Sequence, residues 1–276
     1  MKEITLQPSI GINLHLDSLP LVRECLNDID HVEVMYENIR ELSRTESWNE
    51  IIQYKSIHIH SSSMSIGSTG GVTSDFLCSS ELAVSSLSPE IWSDHFAITR
   101  LNGYEAGRLL PLRPTNGVLR DAAAKIKIFM EKTGVRFLLE NIAYYFRYPG
   151  YDAMDAHYLA EVVTAADCEI LLDVNNIFVN AINFNFDPLS YLQALPIDKV
   201  GAIHIAGSRR IGPLLVDSHD CTPSPESLNL LVEAIKLTGP VPVTLEWDSN
   251  FPSVDVLRQT LSDIRHQISL CSDTRA

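Results

Sequence analysis

The chain has 276 residues, of which 45% are hydrophobic, and carries a formal net charge of −14. This acidic balance argues against a nucleic-acid partner, because binding to a phosphate backbone depends on clustered Lys and Arg side chains. No apolar run approaches the roughly 20 residues that cross a bilayer, and the first residues, MKEITLQPSIGINL, lack an apolar signal-peptide core. We therefore expect a cytoplasmic protein with no membrane partner.

Short β-branched or apolar runs alternate with longer amphipathic segments along almost the whole chain. The runs predict strands over residues 10–14, 31–37, 56–60, 92–98, 136–141, 169–174, 200–207 and 241–247. The longer segments predict helices over residues 18–29, 46–54, 76–87, 115–133, 152–167, 187–195, 224–238 and 253–270. Asp187-Pro188 and Ser224-Pro225 are typical helix starts, and Gly134 and Gly239 follow helical segments, as C-terminal stops do.

Eight strand–helix repeats in this length predict a single α/β domain, residues 1–276, folded as a (β/α)₈ TIM barrel. The alternative is a doubly wound open sheet, in which strands and helices alternate in the same way. Residues 61–75, SSSMSIGSTGGVTSD, are the most loop-like stretch of the sequence. They lack the lysine pattern of a phosphate-binding P-loop, so we interpret them as a loop that follows the third strand.

Polar side chains recur near the carboxyl ends of predicted strands two to eight. They are Glu37 and Asn38, His60, Asp94 and His95, Glu140 and Asn141, Asp173 with nearby Asn176, His204, and Glu246. Asp217 and His219 follow in the loop after strand seven. In a barrel these strand ends converge at one mouth, where catalytic groups come from several strands. In an open sheet they would be spread along one edge, so the pattern favours the barrel.

The composition of this set indicates a metal site. Carboxylates and imidazoles that follow apolar strands are largely desolvated, and an unpaired buried charge is costly. A single histidine at a strand end is more often a hydrogen-bonded core residue, but seven successive strands with such residues favour ligands. Carboxylate oxygens and imidazole nitrogens together suit Fe, Mn or Zn. Because no cysteine belongs to the set, we do not expect a structural zinc–thiolate site.

Seven motifs occur in the order HxxxxSxGS (60–68), SDH (93–95), LLEN (138–141), LLDVNNIFVNA (171–181), HIAG (204–207), DSHD (217–220) and LEWD (245–248). This series resembles the multinuclear non-heme iron-dependent oxidative enzymes (MNIO family), and the resemblance extends from about residue 10 to 260. It implies a barrel of the xylose-isomerase-like type with two or three irons at its mouth. Near that mouth the chain departs from the common family pattern at Ser61–Ser63 and in GINLH (11–15), which leaves the substrate open.

The resemblance also implies a ligand for each metal position. The implied sets are His60, His95 and Glu140; Glu140 as a bridge with Asp173, His204 and Glu246; and Asn176, Asp217 and His219. Glu140, Asp173 and His204 are the implied catalytic residues. The implied supporting residues, which do not bind metal directly, are Glu37, Asn38, Asp94 and Asn141.

Characterised members of the family oxidise cysteine residues of ribosomally made precursor peptides with O₂. The products include an oxazolone with a neighbouring thioamide, and a peptide whose C-terminal cysteine has lost its β-carbon. The resemblance therefore implies irons of mixed Fe(II)/Fe(III) valence, O₂ as cosubstrate, and a partner protein that binds the leader of the precursor. Arg209 and Arg210 directly follow HIAG and Ser208, and their guanidinium groups are candidates for binding a peptide carboxylate.

Two other classes of protein remain open from the sequence. A metal-dependent hydrolase or phosphodiesterase of the AP-endonuclease type uses similar ligands, although this chain has Asn176 where those enzymes carry a histidine. A sugar isomerase on the same barrel is the related alternative, but no motif supplies its catalytic lysine or histidine. The non-enzymatic alternative is a metal-buffering or scaffold protein that retains the barrel.

Overall fold

Twelve strands occur in the computed structural model, which describes residues 8–101, 104–149 and 156–272. They are β1 (Ile10–Leu14), β2 (His31–Met35), β3 (Ser56–Ser61), β4 (Ile91–His95), β5 (Ile98–Leu101), β6 (Tyr104–Leu110), β7 (Phe137–Glu140), β8 (Glu169–Asp173), β9 (Val200–Ala206), β10 (Ser208–Ile211), β11 (Leu214–Asp217) and β12 (Val243–Glu246). Eight of them form a closed barrel in the order β1-β12-β9-β8-β7-β4-β3-β2. All neighbours in the ring are parallel, including the closing pair in which Ile10 lies opposite Val243. The predicted barrel is therefore confirmed, and the open sheet is excluded.

The helices lie between successive barrel strands, as the barrel prediction requires. They are α1 (Leu19–Glu24), α2 (Ile39–Leu42), α3 (Glu46–Tyr54), α4 (Ser74–Leu87), α5 (Asn116–Thr133), α6 (Ala156–Ala166), α7 (Val174–Phe184), α8 (Pro188–Ala194), α9 (Pro225–Thr238) and α10 (Val254–Ser272). The predicted starts at Asp187 and Ser224 are confirmed, because each side chain accepts a backbone hydrogen bond from the first turn. None of the described helices has both the length and the hydropathy that crossing a bilayer requires.

Several predicted boundaries are wrong. The strand predicted over 92–98 ends at His95, and Ile98 begins the separate antiparallel hairpin β5–β6. The strand predicted over 31–37 ends at Met35, and the helix predicted over 18–29 ends at Glu24, before a 3₁₀ turn. Residues 152–155 of the fifth predicted helix lie outside the described residues.

Helix α7 and the hairpins β5–β6 and β10–β11 were not predicted. The sequence of α7, VNNIFVNAINF, is rich in Asn and β-branched residues, which have low helix propensity. Its helical state depends on the cap at Asp173, whose side chain accepts from the backbone N–H of Asn176. The two hairpins are short, and each forms its own two-stranded sheet outside the barrel. Their alternation of apolar and polar residues is too brief to identify from periodicity.

Just below its mouth, the barrel is filled by apolar side chains on one side and by polar side chains on the other. Ile91, Leu138, Leu171 and Ala202 form one buried cluster. Leu138, Leu171 and Ala202 lie two residues before Glu140, Asp173 and His204, and Ile91 lies two residues before Ser93. Residues two apart in a strand point to the same face, so this apolar cluster lies directly below the polar strand ends. On the other side, His31 stacks on His58 with ring centroids 4.2 Å apart. A Cβ at Gly11 would lie 2.2 Å from the His31 ring, so glycine is required there.

The loop between β3 and α4 is fixed by two buried charged groups. Lys125 is 3% exposed, and its amine donates to the backbone carbonyls of Ser65 at 3.1 Å and Ile66 at 3.3 Å. Asp94 is fully buried and accepts hydrogen bonds from the Ser61 hydroxyl at 2.8 Å and the Met64 backbone N–H at 3.0 Å. These bonds hold the start of the predicted 61–75 loop against the barrel mouth.

Candidate metal centre

Glu140, at the carboxyl end of β7, lies at the middle of a buried cluster of imidazoles and carboxylates. Its Oε2 atom is 3.3 Å from Nε2 of His60 and 3.2 Å from Nε2 of His95. Its Oε1 atom is 3.2 Å from Nδ1 of His204. The two oxygens of one carboxylate thus face imidazoles from different strands, so this carboxylate could contact two metal ions at once.

Asp173 and Glu246 complete the side of the cluster that contains His204. Nδ1 of His204 is 3.2 Å from Oε2 of Glu246. Glu140, Asp173, His204 and Glu246 each offer one ligand atom, and these atoms lie within 4.8 Å of one another. His60, Glu140 and His204 form a second such group. All of these side chains are buried, so an ion bound among them would be shielded from solvent.

Unsatisfied polar atoms in the described part of the chain are concentrated at this cluster. They include Glu140 Oε2, Asp173 Oδ2, Asn176 Oδ1, His204 Nδ1, His219 Nε2 and Glu246 Oε2, which are buried without a hydrogen-bond partner. Leaving a buried polar atom unpaired costs about 1–3 kcal/mol. A metal ion would satisfy these converging acceptor atoms and lone pairs, so the residues present fit a bound metal ion. Their oxygen and nitrogen chemistry suits iron, manganese or zinc.

The protonation of the cluster follows from burial and from the neighbouring carboxylates. Burial raises the pKa of Glu140 to about 7, and burial together with the charges of Asp217 and Glu140 raises the pKa of Asp173 well above its usual range. Burial also lowers the pKa of His95 to about 3 and that of His60 well below its usual range, so these two imidazoles are neutral. Although burial also lowers the pKa of His204 and His219, the charges of Glu246 and other nearby carboxylates raise both pKa values well above the usual range. Metal binding would release the protons from these two imidazoles and from the carboxyl groups.

The hairpin β10–β11 brings Asp217 and His219 to the edge of the cluster. Oδ1 of Asp217 is 2.7 Å from Nε2 of His219 and accepts a hydrogen bond from the Asn175 side chain at 2.6 Å. Nδ1 of His219 is 3.8 Å from Oε2 of Glu246. His219 has a positive φ of 48°, which turns the chain back toward the barrel after β11. Asp217 and His219 therefore approach the cluster from above, as a pair.

The residues expected to support the ligands are divided between the cluster and the rim. Asn141 links β7 to β8, because its side chain donates to the Asp173 carbonyl at 2.9 Å and accepts from the Asp173 N–H at 3.0 Å. Asp94 accepts from the His95 backbone N–H at 2.7 Å. Glu37 is exposed beyond the end of β2 and accepts from the Ser62 N–H at 3.0 Å. Glu37 lies in a 3₁₀ turn, Tyr36–Asn38, which neighbouring Asn38 ends.

Two carboxylates at the cluster were missed by the sequence reasoning. Glu33, in the middle of β2, is 3% exposed, and its Oε2 is 2.9 Å from Nε2 of His204. Asp248 follows β12, and its Oδ2 is 3.0 Å from Nδ1 of His219. Although burial raises the pKa of Asp248, hydrogen bonds from His15 and His219 hold it well below its usual range. Two sequence signals could have identified them: Glu33 is an acidic residue within the apolar strand HVEVM, and Asp248 is the last residue of the LEWD motif.

A cavity of about 390 Å³ opens above the cluster. Its wall includes His95, His219 and, from β6, Arg108. Arg108 is the one Lys or Arg side chain among the described residues that line it. Arg209 is engaged elsewhere, since its Nε donates to Oδ1 of Asp220 at 3.0 Å and its Nη2 pairs with the other oxygen. Arg210 is exposed on β10.

Solved structures similar to this chain share its barrel. A D-tagatose 3-epimerase-like protein has a TM-score of 0.65 at 13% identity, covering 97% of this chain and 100% of that one. Endonuclease IV from Thermus thermophilus has a TM-score of 0.60 at 17% identity, with 95% and 100% covered. A xylose isomerase domain protein from Alicyclobacillus acidocaldarius has a TM-score of 0.59 at 15% identity, with 96% and 99% covered. The fold is therefore a xylose-isomerase-like TIM barrel.

Comparisons of sequence are more specific. A UPF0276 protein of Caulobacter vibrioides is 36% identical over 273 residues, which is 95% of each chain. Another UPF0276 protein, from Acaryochloris marina, is 38% identical over 201 residues, or 73% of each chain. Residues 9–269 match the family described as "RiPP precursor modification enzyme MbnB/TglH/ChrH", where RiPP denotes a ribosomally synthesised and post-translationally modified peptide. Because this match spans the barrel and every motif noted above, the chain belongs to the MbnB/TglH/ChrH family, the MNIO enzymes.

Proposed function

We propose that this chain oxidises a cysteine residue in a ribosomally synthesised precursor peptide, with O₂ as cosubstrate and two or three non-heme irons as cofactor. The observation that carries the proposal is the position of Glu140 between His60 and His95 on one side and His204 on the other. Family membership supports a peptide substrate. Oxazolone and thioamide formation and excision of a β-carbon are the two types of product proposed.

The proposed irons would be held by three groups of side chains. The groups are His60, His95 and Glu140; Glu140, Asp173, His204 and Glu246; and Asn176, Asp217 and His219. Iron in mixed Fe(II)/Fe(III) valence would supply one-electron chemistry with O₂ and a coordination position for the cysteine thiolate. Glu140, Asp173 and His204 act as catalytic residues because they hold the iron at which the peptide reacts.

The surrounding residues would position the peptide. The cavity above the cluster is the route by which a cysteine side chain reaches the buried ligands. Arg108 lines this cavity and is placed to bind a peptide carboxylate as a charge-assisted pair. Arg209 and Arg210 remain proposed contacts for peptide outside the cavity, with Arg209 also holding Asp220. Burial of the ligands keeps bulk water from the metal positions.

A partner protein that binds the leader of the precursor is also proposed, as membership of the family suggests. The partner would bring the peptide to the barrel mouth, so that the core segment enters the cavity. The free thiols of Cys25, Cys78, Cys168 and Cys221 are in keeping with a reducing, cytoplasmic setting. The proposed assembly is a heterodimer of the barrel and this partner.

Metal analysis tests the cofactor. The protein is purified under anaerobic conditions, and its iron, zinc and manganese are measured per chain. We expect two or three irons. Zinc without iron would contradict the oxidative function and favour a hydrolase, in keeping with the fold shared with endonuclease IV.

A coupled expression experiment tests the reaction. The chain is produced with a cysteine-containing precursor peptide and leader-binding protein encoded beside its own gene, and the peptide is analysed by mass spectrometry. We expect a mass change that is located on the cysteine and requires O₂. The matched control is Glu140→Gln, which should leave the peptide unmodified. An unchanged peptide with iron-loaded wild-type protein and O₂ would contradict the proposal.

A further inference from the structure

The imidazoles at the cluster differ in the hydrogen-bond partner of one ring nitrogen. Two have neutral hydrogen-bond partners and two have carboxylates. The neutral pairs are His60 Nδ1 with Ser93 Oγ at 2.8 Å and His95 Nδ1 with the Ser61 carbonyl at 3.2 Å. The charged pairs are His204 Nε2 with Glu33 Oε2 at 2.9 Å and His219 Nδ1 with Asp248 Oδ2 at 3.0 Å.

Glu33 is the more informative of the two carboxylates because it lies inside the barrel. The side chains of Glu33 and His204 are 4% and 0% exposed, so solvent does not compensate their charge. Oε1 of Glu33 has no hydrogen-bond partner among the described residues. A buried ion pair can often be replaced as a whole by apolar side chains of similar volume without loss of stability, whereas removing one partner alone is strongly destabilising. Glu33 and His204 are therefore coupled, and the role of Glu33 is to be sought at this imidazole.

We propose that Glu33 is a positioning residue for His204 and that it makes this imidazole a stronger electron donor. By accepting the Nε2–H of His204, the carboxylate would hold the ring in one tautomer once a metal has replaced the Nδ1 proton, with the Nδ1 lone pair directed toward Glu140 and Glu246. The hydrogen bond also transfers negative charge toward the ring, which raises its basicity as a ligand. This inference rests on the proposed metal centre.

The consequence is an electronic difference between the metal positions. An ion beside His204 is surrounded by Asp173, Glu246 and an imidazole supported by Glu33, whereas an ion beside His60 and His95 has imidazoles supported by neutral oxygens. Negative charge stabilises the higher oxidation state of a metal. The position at His204 is therefore the one that favours Fe(III), and the position at His60 and His95 the one that favours Fe(II).

The test compares Glu33→Gln and Glu33→Leu with wild-type protein. Anaerobic titration with Fe(II) gives the number of ions and their dissociation constants, and a redox titration followed by electron paramagnetic resonance gives the midpoint potential. We expect Glu33→Leu to weaken one metal position by about 10- to 100-fold. Glu33→Gln, whose amide oxygen still accepts from Nε2–H, should weaken it less and shift the midpoint potential to a more positive value.

A double variant separates positioning from a structural role. In a His204→Ala background, Glu33→Leu should cause no further loss of metal affinity, because the histidine that it orients is gone. Unchanged affinity and potential in both single variants, with only a lower unfolding temperature, would overturn the inference, as would additive losses in the double variant. If wild-type protein holds zinc instead of iron, the proposed function fails, and the zinc dissociation constants of the same variants alone decide the role of Glu33.

Discussion

Asp173 forms the N-cap of the helix that carries Asn176, with its Oδ1 accepting the Asn176 backbone N–H at 2.7 Å. Its other oxygen, Oδ2, is buried without a hydrogen-bond partner, and Asp173 contributes one atom to the group of converging ligands. One carboxylate therefore starts α7 with one oxygen and faces the candidate metal position with the other. The start of the helix and the geometry of the cluster are coupled through this residue.

This double role predicts different results for two substitutions at position 173. Asp173→Asn keeps an acceptor for the cap, so the metal-free variant should be at least as stable as wild type, since repulsion from Asp217 and Glu140 is relieved. Asp173→Ala removes the cap and should lower the free energy of unfolding by about 1 kcal/mol. Both variants should bind less metal. Urea unfolding of metal-free protein and metal analysis measure the two effects, and wild-type metal content in Asp173→Asn would contradict the ligand role.

Glu140→Gln should remove the negative charge that the two sides of the cluster share. We expect the loss of at least one metal ion per chain and of peptide modification, because the amide is a poor bridging ligand. The matched control is Glu131→Gln, the same chemical change on an exposed glutamate of α5, outside the cluster. Metal content and peptide mass should be unaffected by the control. Two fully occupied metal positions in Glu140→Gln would show that this residue is not the bridge.

The buried imidazole of His31 predicts a pH dependence of stability. Burial lowers its pKa well below the usual range, and the charges of His58 and His204 lower it further. His31 thus stays neutral in the folded chain, while the unfolded chain takes up a proton below a pH of about 6.5. As the pH falls below that value, wild-type protein loses up to about 1.4 kcal/mol of unfolding free energy per pH unit from this residue.

His31→Gln has no such group to protonate. The difference in free energy of unfolding between metal-free wild type and His31→Gln should therefore become smaller between about pH 7 and about pH 5. Urea unfolding at several pH values measures it. A difference that stays constant over this range would show that His31 titrates alike in the folded and unfolded chains.

The cavity predicts which arginine contributes most to peptide binding. Arg108→Ala should raise KM for the precursor by roughly tenfold, as expected for the loss of one charge-assisted pair, with metal content unchanged. Arg210→Ala should raise KM less, because Arg210 does not line the cavity. Steady-state kinetics with the reconstituted partner measure both. A larger effect at Arg210 would place the peptide along β10 instead.

The barrel and the convergence of its strand-end residues were predictable because both depend on local patterns. His60, Glu140, Asp173 and His204 each lie at or near the carboxyl end of an apolar strand, and in a barrel such ends must meet. Glu33 was not predictable in this way. The sequence HVEVMYE contains two glutamates, Glu33 and Glu37, and either could have been the one at the cluster. Which of them reaches it depends on how far β2 is shifted along the barrel relative to its neighbouring strands.

Contacts between distant parts of the chain could not be predicted from the sequence either. Asp248 accepts a hydrogen bond at 2.7 Å from Asn13, which lies 235 residues earlier. Nothing local in either segment marks this pairing. The sequence predicts a loop after HIAG. The structure has the hairpin β10–β11 there, in which Ser208 lies opposite Asp217. Its effect is to place Asp217 and His219 over the cluster.

The division of the proposed ligands between barrel and hairpin predicts that the proposed metal positions differ in how firmly they hold an ion. His60, Glu140 and His204 project from strands whose backbone bonds form the barrel itself. Asp217 and His219 depend on a hairpin that Asn183 joins to α7 through two hydrogen bonds with the backbone of Leu215. We therefore expect an ion at the hairpin to load last and to leave first when iron is scarce. The number of bound ions would then follow the supply of iron in the cell while the barrel stays folded.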